Sequence, residues 1–73
     1  MQVAKETAED PDFAIRDQRG VVFKYRMGYG TGKTAGLRLL VIEEADPQGA
    51  HYVKTVYFTR EIIAGEVICL RRV

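Results

Sequence analysis

The stretch VVFKYRM, residues Val21 to Met27, decides the fold class because its apolar and charged side chains alternate. Phe23 and Tyr25 fall on one face of an extended chain, whereas Lys24 and Arg26 fall on the other. This period of two residues is typical of a strand with one buried face and one face in water. The segment therefore predicts a β-strand near the centre of the fold.

Four further segments predict strands on either side of this one. Residues 37–43, LRLLVIE, contain four consecutive large aliphatic side chains and indicate a central strand that is covered on both faces. Residues 13–16, 52–58 and 66–73 are rich in apolar and β-branched types. The turns fall at 17–20 and 46–49, where aspartate, proline and glycine cluster.

These segments predict a mainly β fold, a small antiparallel sheet or half-open barrel of four to five strands. Closure into a barrel would cover both faces of the central strand and protect the sheet edges. Residues 60–64 follow Thr59 and precede Gly65, so they predict at most one short helical turn. A helical turn before the last strand is similar to the SH3-like barrels.

The glycine-rich segment 28–36, GYGTGKTAG, is similar to the end of a phosphate-binding loop. The full motif needs a glycine at the position of Met27 and a helix directly after the lysine. Neither condition is met, since an apolar β segment follows Gly36. The segment instead predicts a flexible hairpin loop that exposes Tyr29 and Lys33 as candidate contact residues.

Residues 1–11 predict a flexible N-terminal tail in front of a β domain at 12–73. The tail has one sizeable aliphatic side chain, Val3, and therefore little apolar area to offset the entropy of ordering. Residues 1–12 carry a net charge of −3, while the whole chain carries +1. An acidic arm with an apolar anchor can order on a partner, although a frayed terminus has the same composition.

The composition argues against an enzyme or a metalloprotein. Serine is absent, and the chain has a single cysteine, Cys69, and a single histidine, His51. These counts predict no disulfide, no metal site and a reducing cytoplasm. A chain of 73 residues also has too small a core to enclose a cofactor pocket. We therefore predict a binding module without enzymatic activity, catalytic residues or cofactors.

Scattered basic residues interleaved with tyrosine and phenylalanine leave a second interpretation open. A small barrel with such a surface can bind single-stranded nucleic acid through charge and base stacking. The basic residues of this set are Lys24, Arg26, Arg38, Lys54, Arg71 and Arg72, and the aromatic ones are Tyr25, Tyr52, Tyr57 and Phe58. The alternative prediction is thus a small β-barrel module for single-stranded nucleic acid.

The chain as a whole resembles the small RNA-polymerase-binding transcription regulators of Xanthomonas bacteriophages. The resemblance rests on the length of 73 residues, the N-terminal segment MQVAKETA at residues 1–8 and a compact body after Pro11. It implies binding to the N-terminal region of the largest subunit of host RNA polymerase. It also implies inhibition of initiation at promoters that need the −35 contact, and antitermination during elongation.

The resemblance makes the N-terminal segment the main polymerase contact. It implies contact roles for Val3, Lys5, Glu6 and Thr7, while the 28–36 loop is predicted as a second contact from its exposure alone. The expected protein is a monomer in the host bacterial cytoplasm that meets no membrane. In this interpretation it meets nucleic acid only through the polymerase complex.

Overall fold

The computed structural model describes residues 2–71 as one five-stranded antiparallel sheet preceded by a helix. The strand order is β4-β3-β2-β1-β5, so the first four strands form a meander and the last returns beside the first. The elements are α1 Gln2–Glu9, β1 Phe13–Arg16, β2 Val22–Arg26, a 3₁₀ turn at Gly32–Thr34, β3 Arg38–Ala45, β4 His51–Thr59 and β5 Glu66–Leu70. The predicted mainly β fold is confirmed. Residues 72 and 73, included in the predicted last strand, lie outside the described residues.

The strand register builds one buried cluster on the face of the sheet that carries Tyr25, while Ala14, Val22, Leu39 and Val41 are buried on the other face. Tyr25 of β2 pairs with Phe13 of β1 and Leu40 of β3, and the row continues to Leu70 of β5 and Tyr57 of β4. The buried cluster comprises Ile15, Val21, Phe23, Tyr25 and Leu40, with Phe13, Ile42 and Ile63 packed against it. The alternation in residues 21–27 therefore points Val21, Phe23 and Tyr25 into this cluster, as predicted, whereas Met27, predicted on the same buried face, is 42% exposed.

The segment 60–65, which we call the β4–β5 connector, joins the two edge strands of the sheet. The N–H of Ile63 donates a hydrogen bond of 3.2 Å to the Tyr25 hydroxyl, which ties the connector to the core. The helical turn predicted at 60–64 is wrong, because the connector has no helix. Thr59 Oγ1 does accept the N–H of Glu61, but the Ile63 N–H goes to Tyr25 instead of to a helical carbonyl.

The N-terminal residues predicted as a flexible tail form helix α1 in the structure, and α1 lies on the face of the sheet opposite the core. Lys24, which points away from the core, donates to the carbonyl of Ala8 at 2.7 Å. Thr7 has no exposed surface, and Pro11 is also buried. A prediction that counts large aliphatic side chains misses such a helix, because α1 packs through alanine and threonine.

No helix of the described residues is both long and apolar enough to cross a membrane.

Candidate interaction surface

The structure brings the two predicted contact segments together. The Tyr29 hydroxyl, in the 28–36 loop, donates a hydrogen bond of 2.7 Å to Oε2 of Glu6 on α1. This hydrogen bond is the main reason why the pKa of Tyr29 lies above its usual value. The Arg26 guanidinium sits 5.5 Å from the centre of the Tyr29 ring, within the range of a cation–π contact. The helix and the loop therefore form one continuous surface.

The other residues predicted on the arm have different positions. Lys5 is exposed on α1, and Val3 is half-buried against the fold. Thr7 is completely buried, and its hydroxyl donates to the Val3 carbonyl at 2.8 Å. While α1 is docked, Thr7 thus stabilises the packing of the helix and is not accessible to a partner.

The glycine loop is more ordered than its composition suggests. A Cβ atom at Gly30 would lie 2.0 Å from the carbonyl oxygen of Thr34, so only glycine fits there. The Thr34 hydroxyl accepts the N–H of Thr31 at 3.0 Å and donates to the Thr31 carbonyl at 2.9 Å. Lys33 is exposed in the 3₁₀ turn, and β3 follows directly. The loop therefore lacks the helix that a phosphate-binding loop requires.

A network of ion pairs holds the end of α1 against the sheet. Asp10 accepts from Arg71 through both its side chain and its carbonyl, and it also contacts Arg26 at 3.7 Å. The hydrogen bond from Arg71 holds the pKa of the Asp10 carboxyl below its usual value. The N–H of Arg71 donates to the carbonyl of Asp12 at 2.8 Å. These contacts join the N-terminal segment to the end of β5.

A second ionic contact lies beneath the helix. The Lys24 ammonium is 2.8 Å from Oε2 of Glu43, whose side chain is 10% exposed. His51 Nδ1 lies 3.8 Å from the other oxygen of Glu43. Because Lys24 also donates to the helix carbonyl of Ala8, one partly buried amine connects β2, β3 and α1.

Two further acidic residues at the end of β3, Glu44 and Asp46, also have structural partners. Glu44 accepts from the Tyr52 hydroxyl and from Lys54, both at 3.1 Å. The hydrogen bond from Lys54 holds the pKa of Glu44 below its usual value. Asp46 accepts the N–H groups of Gln48 and Ala50 and closes the β3–β4 turn. Within residues 2–71, no group of histidine, cysteine and acidic side chains is arranged to hold a metal ion.

Helix α1 and the edge strand β4 enclose an apolar groove that the sequence analysis does not predict. Its volume is about 460 Å³, and it is lined by Ala4, Lys5, Ala8, Glu9, Val53 and Val56. Val53 is 47% exposed in the groove wall. The helix contacts β2 and β3, so the outer strand β4 extends beyond its cover. The only sequence signal for the groove is the pair of alanines spaced by four residues.

Most of the exposed large apolar side chains lie on the two edge strands, whereas Met27 follows the central strand β2 and Ile62 is in the β4–β5 connector. The exposed examples are Met27, Tyr52, Val53, Tyr57, Ile62, Val67, Ile68 and Leu70. Most residues of β4 and all of β5 are exposed, in contrast to the buried strands β2 and β3. Exposed apolar clusters on a small domain are typical of interaction sites. The edges are therefore the part of the sheet best suited to a partner.

Comparison with known proteins leaves the surface to be interpreted from its own chemistry. No protein-family model, no curated protein and no solved structure matches the chain.

Proposed function

We propose that this protein is a non-enzymatic transcription regulator that binds host bacterial RNA polymerase in the host cytoplasm. The observation that carries the proposal is the apolar groove between α1 and β4, since it adjoins an edge strand with a free side. The identity of the proposed partner, the largest subunit of RNA polymerase, comes from the resemblance stated in the sequence analysis. In this proposal the groove is the docking site for an extended segment of that subunit.

The edge strand β4 supplies the backbone part of the proposed contact. It runs for nine residues, His51–Thr59, and among the described residues 2–71 it pairs only with β3, on its inner side. Alternate N–H and C=O groups on the outer side of such a strand are free to pair with an added strand. An added strand gains affinity from these hydrogen bonds and specificity from side chains that enter pockets beside the edge.

The helix supplies the side chains that would select the partner. Lys5 and Glu9 lie on the α1 wall of the groove, and Val53 and Val56 form the opposite wall. Apolar partner side chains would fill the space between the walls, while opposite charges pair with Lys5 and Glu9. Charge pairs at the rim of an interface fix register and speed association more than they add affinity.

The remaining predicted contacts lie outside this groove. Tyr29 and Glu6 hold each other, and Lys33 is exposed at the tip of the loop. The loop would form the second contact with polymerase, beside the first. Thr7 is left out of the contact set because it is buried.

Regulation would follow from binding without any chemical step. An effector shifts an equilibrium only by its difference in affinity for the two states. A protein that binds the largest subunit more tightly in one conformation disfavours the other, so initiation that needs the −35 contact would be inhibited. The same preference would maintain an elongating complex past a terminator. One docking surface thus accounts for both activities.

The test compares two single substitutions on opposite edges of the sheet. Val53→Asp places a charge in the groove wall, whereas Val67→Asp places the same charge on β5, where valine is 58% exposed. The assay is capture of purified bacterial RNA polymerase by the tagged protein, with transcription from a −35-dependent promoter as a second measurement. We expect Val53→Asp to lose capture and inhibition, and Val67→Asp to keep both.

Two results would contradict the proposal. If the wild-type protein captures no polymerase, polymerase is not its partner. If the two variants capture polymerase equally, the groove is not the docking site. Circular dichroism of both variants first confirms that they fold. Sedimentation of the wild-type protein tests the predicted monomer, since a dimer that Val53→Asp dissociates would mean that a second copy occupies the groove.

A further inference from the structure

One end of the sheet carries basic side chains without acidic partners. Most lysines and arginines of residues 2–71 form an ion pair: Arg16, Arg19, Lys24, Arg26, Lys54 and Arg71. Within that range the structure gives no ion pair to Lys5, which is on α1, or to Lys33, Arg38 and Arg60. The last three lie in the loop between β2 and β3, at the start of β3 and directly after β4, respectively. We call them the basic end.

The register of the sheet keeps the basic end together. Arg38 is the first residue of β3 and pairs across the sheet with Thr59, the residue before Arg60. Cα atoms of such antiparallel partners are separated by about 5 Å. Lys33 lies in the 3₁₀ turn, and the N–H of Leu37 donates to the Thr34 carbonyl, so a hydrogen-bonded turn leads into Arg38. The three basic residues therefore lie at the same end of the sheet.

An exposed aromatic ring lies on the same face as Arg38. Tyr57 pairs with Leu40, which is two residues along β3 from Arg38, so the two side chains are diagonal neighbours on one face. Tyr57 is 48% exposed. On the same face, Arg38 lies over the ring of Phe13, at 5.9 Å from the ring centre. The arrangement combines charge with a flat apolar surface.

We propose that the basic end binds single-stranded nucleic acid directly. Lys33, Arg38 and Arg60 contact successive phosphates, and a base stacks on Tyr57. Every base has a face that stacks on an aromatic ring, so this combination gives affinity with little sequence preference. The inference does not rest on the polymerase proposal, because it concerns a different ligand and lies away from the α1–β4 groove, but it shares Lys33 with the proposed second polymerase contact.

Single-stranded nucleic acid fits this surface better than the two nearest alternatives. A duplex offers its phosphates but keeps its base faces stacked, so Tyr57 would have no role. An acidic protein segment would engage the charges, but it has no base face to stack on Tyr57. One acidic residue, Glu61, follows Arg60 and is exposed, which opposes phosphate binding and provides an internal check.

The experiment measures fluorescence anisotropy of labelled oligothymidine and oligouridine, each longer than the ~4–16 nucleotides that one small barrel covers. Salt is varied between about 50 and about 200 mM. Three phosphate contacts to a single strand predict a slope of about −2 in log affinity against log salt. Arg38→Gln or Lys33→Gln should each reduce the magnitude of this slope by about 0.7.

Two further variants separate charge from stacking. Tyr57→Leu keeps an apolar residue on the strand and should weaken binding about tenfold without changing the salt slope. Glu61→Gln should strengthen binding, because it removes the opposing charge. Arg19→Gln is the control, since Arg19 lies at the opposite end of the sheet and is paired with Asp17; it should leave binding unchanged.

Three results would overturn the inference. The first is no oligonucleotide binding at ~100 µM protein and low salt. The second is an equal loss for Arg19→Gln and Arg38→Gln, which would mean a general charge effect. The third is loss of polymerase capture by Arg38→Gln in a protein that binds no oligonucleotide, which would assign the basic end to a protein partner. Because Lys33 lies in a loop, Lys33→Gln preserves the test if a strand variant fails to fold.

Discussion

Replacement of Lys24 by methionine should be the most damaging loss of a single charge in this protein. The substitution keeps the length of the side chain but leaves the Glu43 carboxylate, which is 10% exposed, without its ammonium partner at 2.8 Å. It also removes the hydrogen bond to the carbonyl of Ala8. The change therefore weakens both the sheet and the docking of α1.

The magnitude follows from the burial of the pair. Breaking a buried ion pair by removal of one partner costs about 3–5 kcal/mol. Lys24 is 21% exposed and His51 remains near Glu43, so we expect a smaller loss than this range, about 2–3 kcal/mol. The whole domain has a free energy of unfolding of roughly 4–11 kcal/mol, from typical values per residue. Such a loss should lower the urea midpoint by about 2 M.

Urea unfolding followed by circular dichroism measures the loss. Lys24→Met with Glu43→Met should unfold within about 1 kcal/mol of the wild-type protein, because an apolar pair replaces a buried ionic pair at little cost. Lys54→Met is the matched control: its ion pair with Glu44 is exposed, and the urea midpoint should hardly change. The reasoning is refuted if Lys24→Met and Lys54→Met have the same midpoint, or if the double variant is less stable than Lys24→Met.

The remaining predictions concern the connector, the core and the docked helix. Gly65→Ala should destabilise the fold by roughly 1–3 kcal/mol, measured by thermal unfolding, because the new Cβ would lie 2.6 Å from a β1 carbonyl oxygen. Tyr25→Phe should cost about 1–2 kcal/mol in urea, because it leaves a buried N–H of the β4–β5 connector without an acceptor; an unchanged midpoint would contradict this. The pKa of Asp10 is lowered in the folded protein, so its carboxylate contributes to stability at a pH above 3.8, the ordinary pKa of aspartate. This contribution is lost as the pH falls through the lowered pKa. The difference in melting temperature between the wild type and Arg71→Gln should therefore shrink in acid, and a constant difference would argue against the pair.

The strands were predictable because their signals are local. Alternation in residues 21–27 and the aliphatic run in 37–43 each identify a strand within a few residues. The structure places these two segments as neighbours at the centre of the sheet, β2 and β3. The pairing of β1 with β2 and of β3 with β4 follows from short turns, since consecutive strands with tight connections pair with each other, whereas β2 and β3 pair across the longer loop at residues 27–37.

The candidate site was only partly predictable. The exposed positions of Lys5 and Lys33 agree with a surface role, and the loop sequence identifies a segment available for contact. The groove was missed because it depends on α1 lying beside β4, which are separated by more than forty residues. The burial of Thr7 was missed for the same reason, since it depends on which sheet face the helix covers.

The sequence by itself determined the class of the fold, the central pair of strands and the positions of the main turns. Only the tertiary structure decided the conformation of residues 2–9. A helix of eight residues has too few hydrogen bonds to be stable alone, because nucleation costs more than so short a helix recovers. The structure stabilises it through Lys24, Tyr29 and Arg71, which come from three distant segments. Such contacts exist only after the sheet has formed, and no local pattern in the first ten residues can encode them.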